Sequence, residues 1–330
     1  MTSGPASDGL NVRTLYAVLG GTVLVLMLLS LMIGPAGFGL PHGEGAGLIL
    51  GEIRLPRTLL AALTGGSLGL AGAALQGYLR NPLAEPGIIG ISSGAGLGAV
   101  LAIHTGASSA LGVALPLGGL IGGALATMTV LGLAGERGSA LTLILAGVAV
   151  SSVATALISL VLSVSKNPFA SVEIVFWLLG SLADRSMTHV WIAGPLMLAG
   201  MAVLASLGPS LDALTLGEDA AQNLGIDLSR VRLLVVIGTA LAVGSATAIV
   251  GMIAFVGLVV PHVLRPLVGH APSRLLPASL LGGAALVLAS DVALRVFAPG
   301  GEIRLGVLTA LMGAPFFLWL VLKLRAELGP

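Results

Sequence analysis

The amino-acid sequence predicts an all-α integral membrane protein with about ten transmembrane helices. Three observations carry this expectation. Of 330 residues, 56% are hydrophobic and 9% charged, where a soluble domain holds about 25% charged residues. Mean hydropathy is +1.07, an apolar excess too large for one water-surrounded core, so the solvent must be lipid. Apolar runs of roughly 20 residues, the length that crosses the hydrocarbon as a helix, recur from one end of the chain to the other.

Taken in order, residues 1–13 read as a polar tail. The next apolar run is longer than the usual apolar region of a secretory signal, so it is expected to remain as the first span. Spans are expected at about 14–34, 57–78, 87–104, 112–134, 141–163, 189–208, 231–253, 255–269, 275–297 and 306–324. The third and eighth are short or interrupted by Gly and Pro. VFWLLGSL (175–182) is apolar but too short to cross, which suits an interfacial or re-entrant piece. An even number of spans leaves both termini on one side. With cytoplasmic termini, Arg13, Arg80, Arg137, Arg230, Arg232, Arg265, Arg274, Lys323 and Arg325 lie inside. Arg54, Arg57, Lys166, Arg185, Arg295 and Arg304 lie outside. The excess of inner cations agrees with the positive-inside rule.

Three strips of small residues recur one helical turn apart: Gly65, Gly69, Ala73 and Gly77; Gly90, Gly94 and Gly98; Gly118, Gly122 and Ala126. Such strips let helices approach closely in a membrane.

The sequence holds no H-E-x-x-H, G-x-S-x-G or phosphate-loop motif. Its five histidines (42, 104, 189, 262 and 270) never pair at ligand spacing, so no metal site is expected. Cysteine is absent, and the few basic residues are scattered, so neither thiol chemistry nor nucleic-acid binding is indicated. Glu85, Glu173 and Asp291 all lie near span ends, leaving no deep acid relay of the kind an ion-coupled carrier needs. If the chain moves a solute, the energy is expected from another subunit.

Three regions carry the scarce polarity. GEIRLPRTLLAAL (51–63) and GEIRLGVLTAL (301–311) set Arg54, Arg57 and Arg304 at outer span ends, and Arg295 ends another span. These arginines either snorkel at the interface or form a docking ring for an acidic partner. QGYLRNPLAEPGIIGISSGAG (76–96) contains Pro82 and Pro86, which forbid regular helix through the turn, as either a plain connection or a gate. LGPSLDALTLGEDAAQNLGIDLSRVR (207–232) is a long polar loop. Within it Thr215 and Glu218 read as a capping box, Gly225 as a helix end and Ser229 as the next cap.

At RLPRTLLAALTGGSLGLAGAALQGYLRNPLAEPGIIGISSGAG (54–96) the chain closely resembles the FecCD-type permeases of ABC importers for ferric siderophores, haem and cobalamin. Further matches follow in order: LILAGVAVSS (143–152), FWLLGSL (176–182), LTLGEDAAQNLGI (214–226), GMIAFVGLVVPHVLRPLVGHAP (251–272) and GEIRLGVLTALMGAPFFLWLV (301–321). The resemblance implies a type II importer permease fold with one permease domain over 14–326 and a coupling loop at 211–226. It implies a second copy of the chain, two ATP-binding cassette subunits that bind ATP and Mg, and an external substrate-binding protein. No cofactor on this chain and no enzyme activity of its own are implied, and the location is a bacterial inner membrane. By motif, Arg54, Arg57 and Arg295 correspond to docking arginines, and Arg304 stands where the family often has Pro. Asn81 and Leu83 match one side of a cytoplasmic gate, Ala140 and Leu141 the other. Leu216, Gly217, Glu218, Ala221, Leu224 and Gly225 match the ATPase coupling segment. The cargo expected on substrate frequency alone is an iron chelate, with cobalamin as the alternative. An ion-coupled carrier or a membrane scaffold are the rival readings.

Overall fold

The computed structural model describes residues 11–34, 37–135, 138–298 and 303–327, with side chains described as far as Lys323. The tail before residue 11, Arg137 and the Arg325 side chain fall outside them. Helix α1 (Val12–Met32) ends at a short antiparallel pairing of β1 (Ile33–Gly34) with β2 (Gly37–Phe38). Then come α2 (Leu55–Tyr78), α3 (Ile91–His104), α4 (Ala114–Ala134) and α5 (Ala140–Val164). The short α6 (Pro168–Leu178) precedes α7 (Met187–Ala205). Helices α8 (Gly208–Leu214) and α9 (Glu218–Asn223) form the long polar loop. Helix α10 (Leu228–Thr239) continues through a π-helical turn, Ala240–Gly244, into Ser245–Val250. Helices α11 (Val256–Leu264), α12 (Pro272–Phe297) and α13 (Leu305–Glu327) complete the chain. Among the described residues, eight helical stretches are long and apolar enough to cross a membrane. With the shorter α3 and the nine-residue α11 they occupy the positions of the ten expected spans. The side holding residues 206–227 is termed inner below, and the opposite side outer.

The differences from expectation have local causes. The second span starts earlier, because helix runs unbroken from Ala46 to Tyr78. Pro56 has no amide to give the Glu52 carbonyl, and the preceding turn widens to a π-helix over Ile49–Arg54. The third span starts later, at Ile91, because Pro86–Ile89 is a 3-10 turn and Gly90 is left-handed at φ +81°. The seventh stops at Val250, where Gly251 takes φ +76°, and the eighth shrinks to the nine residues of α11. Nine residues span about 13 Å, under half of the ~30 Å hydrocarbon. VFWLLGSL divides between the end of α6 and an irregular turn at Gly180 (φ +71°), in keeping with a piece too short to cross.

Close helix contact makes up the core. A Cβ added at Gly65 would stand 2.2 Å from the Gly283 carbonyl oxygen, and one at Gly69 2.1 Å from that of Ser279. These glycines seat α2 directly on α12. The second and third strips face each other: a Cβ added at Gly98 would stand 2.0 Å from the Gly118 carbonyl oxygen, and one at Gly94 2.3 Å from the Ala126 Cβ. The strip ends do other work. Gly77 abuts the Leu211 side chain of α8, and Gly90 caps α3.

The break at 251–255 is held by neighbours rather than by helix. Phe255, in the left-handed region at φ +69°, begins α11. Its amide donates to Glu85 Oε1 at 2.6 Å, and Ser181 N donates to the Val250 carbonyl at 2.7 Å. Backbone released from a helix in a membrane needs such partners.

Gly65→Ala is expected to lower the melting temperature of the detergent-purified chain, by about 1–3 kcal/mol of overpacking. Gly20→Ala, where a Cβ meets nothing within 4 Å, is the control expected to leave it unchanged.

Candidate functional site: an outer arginine cavity and an inner loop

Four outer arginines meet around one cavity of about 150 Å³, whose walls include Arg54, Arg57, Asp291, Arg295 and Arg304. They are not alike. Arg57 grips Asp291 in a fork, Nε to Oδ1 at 2.9 Å and Nη2 to Oδ1 at 2.8 Å. Arg295, one turn beyond Asp291 on α12, reaches Asp291 Oδ2 at 2.9 Å. It also donates to the Ser30 and Ile33 carbonyls at 2.8 and 2.9 Å. Arg54 is buried, and its Nη1 donates to the carbonyls of Leu31 and Gly39 at 2.8 and 2.7 Å. Its role is to tie the end of α1 and the following turn to α2. Arg304 stacks over Phe176, 4.9 Å from the ring centroid. Within these walls four guanidinium groups face one carboxylate, so the cavity is strongly positive.

Asp291 is the residue that sequence reasoning had only as a rejected relay acid. It is 1% exposed, against 24% for the Arg57 side chain and 11% for Arg295. The readable signal was its spacing to Arg295, one turn away on a helix. Nearby Arg185 lies in the outer loop, where burial pushes its guanidinium below the ordinary value, Asp184 opposes the change and Arg304 reinforces it.

On the inner side, the expected gate residues differ in setting: Asn81 and Leu83 sit on a turn, whereas Ala140 and Leu141, expected on the opposing turn, form the first turn of helix α5 because Ser139 caps it. Asn81 Oδ1 accepts from Leu83 N at 2.9 Å, and Asn81 N donates to the Gln76 carbonyl at 3.2 Å. Gln76 is a node that the sequence did not single out. Its Nε2 donates to the Ala84 carbonyl at 3.3 Å and its Oε1 accepts from Arg265 at 2.5 Å. The other turn leads into α5, which Ser139 caps by accepting from Thr142 N at 3.2 Å. Ala140 is partly exposed and Leu141 is exposed.

The long loop is a built surface. Leu211 and Leu214 of α8 and Ala221 of α9 are buried against the bundle. Asp212 Oδ1 accepts from Ser273 N at 2.9 Å and fixes α8 to the start of α12. Leu216 and Leu224 point the other way, 68% and 64% exposed. Gly217 (φ +104°) and Gly225 (φ +86°) bracket α9, Gly225 ending it as expected. The capping box does not form: Gly217 is the N-cap, and Thr215 instead ends α8, its hydroxyl donating to the Asp212 carbonyl. Nor does Ser229 cap α10. Asp227 does, accepting from the Ser229 and Arg230 amides, because a carboxylate immediately before the helix reaches both orphan donors.

Comparison with known proteins bears on the whole chain. The FecCD transport family matches residues 17–323. A vitamin B12 import system permease protein, BtuC, of Klebsiella pneumoniae is 38% identical over 313 residues, 92% of each chain. A cobalamin import system permease protein, BtuC, of Halobacterium salinarum is 39% identical over 289 residues, 87% of this chain and 76% of that one. Among solved structures, a metal-chelate type ABC transporter in an inward-facing conformation superposes with TM-score 0.86 at 34% identity, covering 94% of this chain and 99% of its own. PsaBC from Streptococcus pneumoniae shares the fold alone, at TM-score 0.54 and 20% identity.

Asp291→Ala strands two guanidinium groups. It is expected to destabilise the purified chain by about 3 kcal/mol, read as a fall in melting temperature, whereas Arg57→Ala leaves the Asp291–Arg295 pair and costs less.

Proposed function

The chain belongs to the FecCD transport family and is a multi-pass permease of the ABC importer class, and from that premise we propose that its cargo is cobalamin. The observation that carries the proposal is that relatives at 38% and 39% identity, matched over 92% and 87% of this chain, are named vitamin B12 or cobalamin permeases. The preference for an iron chelate, which rested on substrate frequency alone, gives way to its alternative. A ferric chelate remains the second reading, favoured by the likeness to the 34% identical transporter described as metal-chelate type.

In this reading two copies of the chain enclose the pathway in the cytoplasmic membrane of a bacterium, with both termini inside. A loaded binding protein docks on the outer cavity. Arg57 and Arg304 are its contact cations: Arg57, though paired with Asp291, keeps 24% of its side chain exposed and Arg304 is partly exposed, whereas Arg54 is buried and Arg295 is 11% exposed. Asp291 acts as a positioning residue that holds Arg57 and Arg295 side by side. Individual exposed ion pairs are weak, but repeated by two-fold symmetry they set register and speed encounter. On the inner side two ATPase subunits, which bind ATP and Mg and carry out the hydrolysis, seat against α8 and α9. Leucines exposed on a loop outside the hydrocarbon are what a soluble partner covers. The solute leaves between the turns of Asn81 and Leu83 and of Ala140 and Leu141. No catalytic step falls to this chain, and alternation between states follows from differential contacts with nucleotide-bound and free partners.

Uptake in cells lacking the chain tests the cargo. Loss of labelled cobalamin uptake with ferric chelate uptake retained is the expected outcome, and the reverse would restore the iron reading. For docking, Arg57→Glu combined with Arg304→Glu is expected to abolish stimulation of ATP hydrolysis by the binding protein while unstimulated hydrolysis continues. For the inner surface, Leu216→Asp with Leu224→Asp is expected to cut co-purification of the ATPase at least tenfold, without changing the melting temperature of the isolated chain.

A further inference from the structure

One contact on the inner side joins two regions with different proposed tasks. Arg80 Nη2 meets Glu218 Oε1 at 3.1 Å, with the two side chains about half exposed. Glu218 is the first residue of α9, on the loop read above as the ATPase seat. Arg80 directly precedes Asn81 in the inner turn. We propose that the Arg80–Glu218 pair is the mechanical link by which movement of α9 is passed to the turn of Asn81 and Leu83. The proposal deepens the reading of the loop as a coupling surface and rests on it.

The two ends of the link have the properties such a role needs. The turn is stiff enough to move as a unit. Arg80 is held in the left-handed region at φ +48°, a conformation that a non-glycine residue keeps only when its surroundings impose it. Beyond it, Asn81 N is bonded to the Gln76 carbonyl, Asn81 Oδ1 to Leu83 N, and Ala84 N to the Asn81 carbonyl at 3.1 Å. Displacing Arg80 therefore displaces Asn81 and Leu83 together. The helix α9, by contrast, is hung between Gly217 and Gly225, both at positive φ, with Ala221 its buried residue. A second tether runs from the same region to the opposite turn: the mostly buried Arg232 of α10 donates to the Gly138 carbonyl, just before Ser139, Ala140 and Leu141. The segment from Glu218 to Arg232 thus holds both turns that flank the proposed exit. An exposed ion pair adds little to folding, so loss of Arg80–Glu218 leaves the folded chain and should register in transmission instead.

The chain has no cysteine, which allows a direct test without using any cargo. Leu83→Cys, in the complex with its ATPase subunits, is labelled with a water-soluble maleimide in the presence and absence of ATP. The parent is expected to change its labelling rate at least fivefold on adding ATP. Arg80→Gln is expected to lose that change while ATP hydrolysis continues, and Arg80→Lys to keep it. Glu218→Gln should reproduce the loss, and Arg80→Gln with Glu218→Gln should lose no more than either alone, because both remove one interaction. A parent indifferent to ATP, an Arg80→Gln variant that still responds, an Arg80→Lys variant no better than Arg80→Gln, or losses that multiply would each overturn the link. If the ATPase does not co-purify with the parent chain, the coupling reading falls and the link falls with it. If it does and Arg80→Gln still responds, only the link falls.

Discussion

A backbone carbonyl or amide inside hydrocarbon has no water to bond with, and this fold depends on how that demand is met where helices stop. The break at 251–255 is the clearest case. The Phe255 amide, exposed at the start of α11, is answered by the Glu85 carboxylate, and the Val250 carbonyl at the end of α10 by the Ser181 amide. Each partner comes from a distant part of the chain. Glu85 reaches the break because Pro82 and Pro86 turn the 79–90 segment out of regular helix and back toward α11. An irregular segment in one place thereby requires an irregular segment in another, and the two prolines, the glycine at 251 and the carboxylate form one structural unit.

The same reasoning explains the glycine content. Where α2 meets α12 and α3 meets α4, a single added Cβ would collide with backbone atoms. Lipid offers helices no hydrophobic reward for associating, so close van der Waals contact has to supply it. Rigid pairs built this way give the chain bodies that move as wholes. The polar segments between them, at 79–90, 138–139 and 206–227, are where relative movement can be received or delivered.

Charge is spent sparingly and in two distinct ways. At the outer cavity, one buried carboxylate organises two of four guanidinium groups, and a third closes the structure by bonding carbonyls. A cluster of like charges on an apolar chain is thus partly scaffold and partly surface, and the surplus of cations over the single acid is what faces outward. At the inner side, Arg80, Arg232 and Arg265 each bond to a different neighbouring segment. The positive-inside bias read along the sequence counts such residues without distinguishing a cation facing lipid headgroups from one that fastens two loops together.

Composition and hydropathy alone determined that the chain crosses a membrane repeatedly as helices, because lipid admits few other solutions for so apolar a sequence. Local spacing determined the small-residue strips and the irregular turn at Asn81 to Pro86, since glycine packing and proline geometry are properties of neighbours in the chain. Family motifs pointed to the arginine, gate and loop residues; the structure shows where those side chains lie, and their roles are proposals. Tertiary structure decided the rest. That Arg54 turns inward while Arg57 stays partly exposed depends on where the Leu31 and Gly39 carbonyls lie. That Asp291 is a keystone, that Gln76 is a node and that Glu85 caps α11 depend on contacts between residues far apart in sequence, which no local pattern encodes. The caps at Gly217 and Asp227 were misread for a related reason: several nearby side chains can serve as a cap, and the one used is selected by how α8 and α10 are anchored to the bundle.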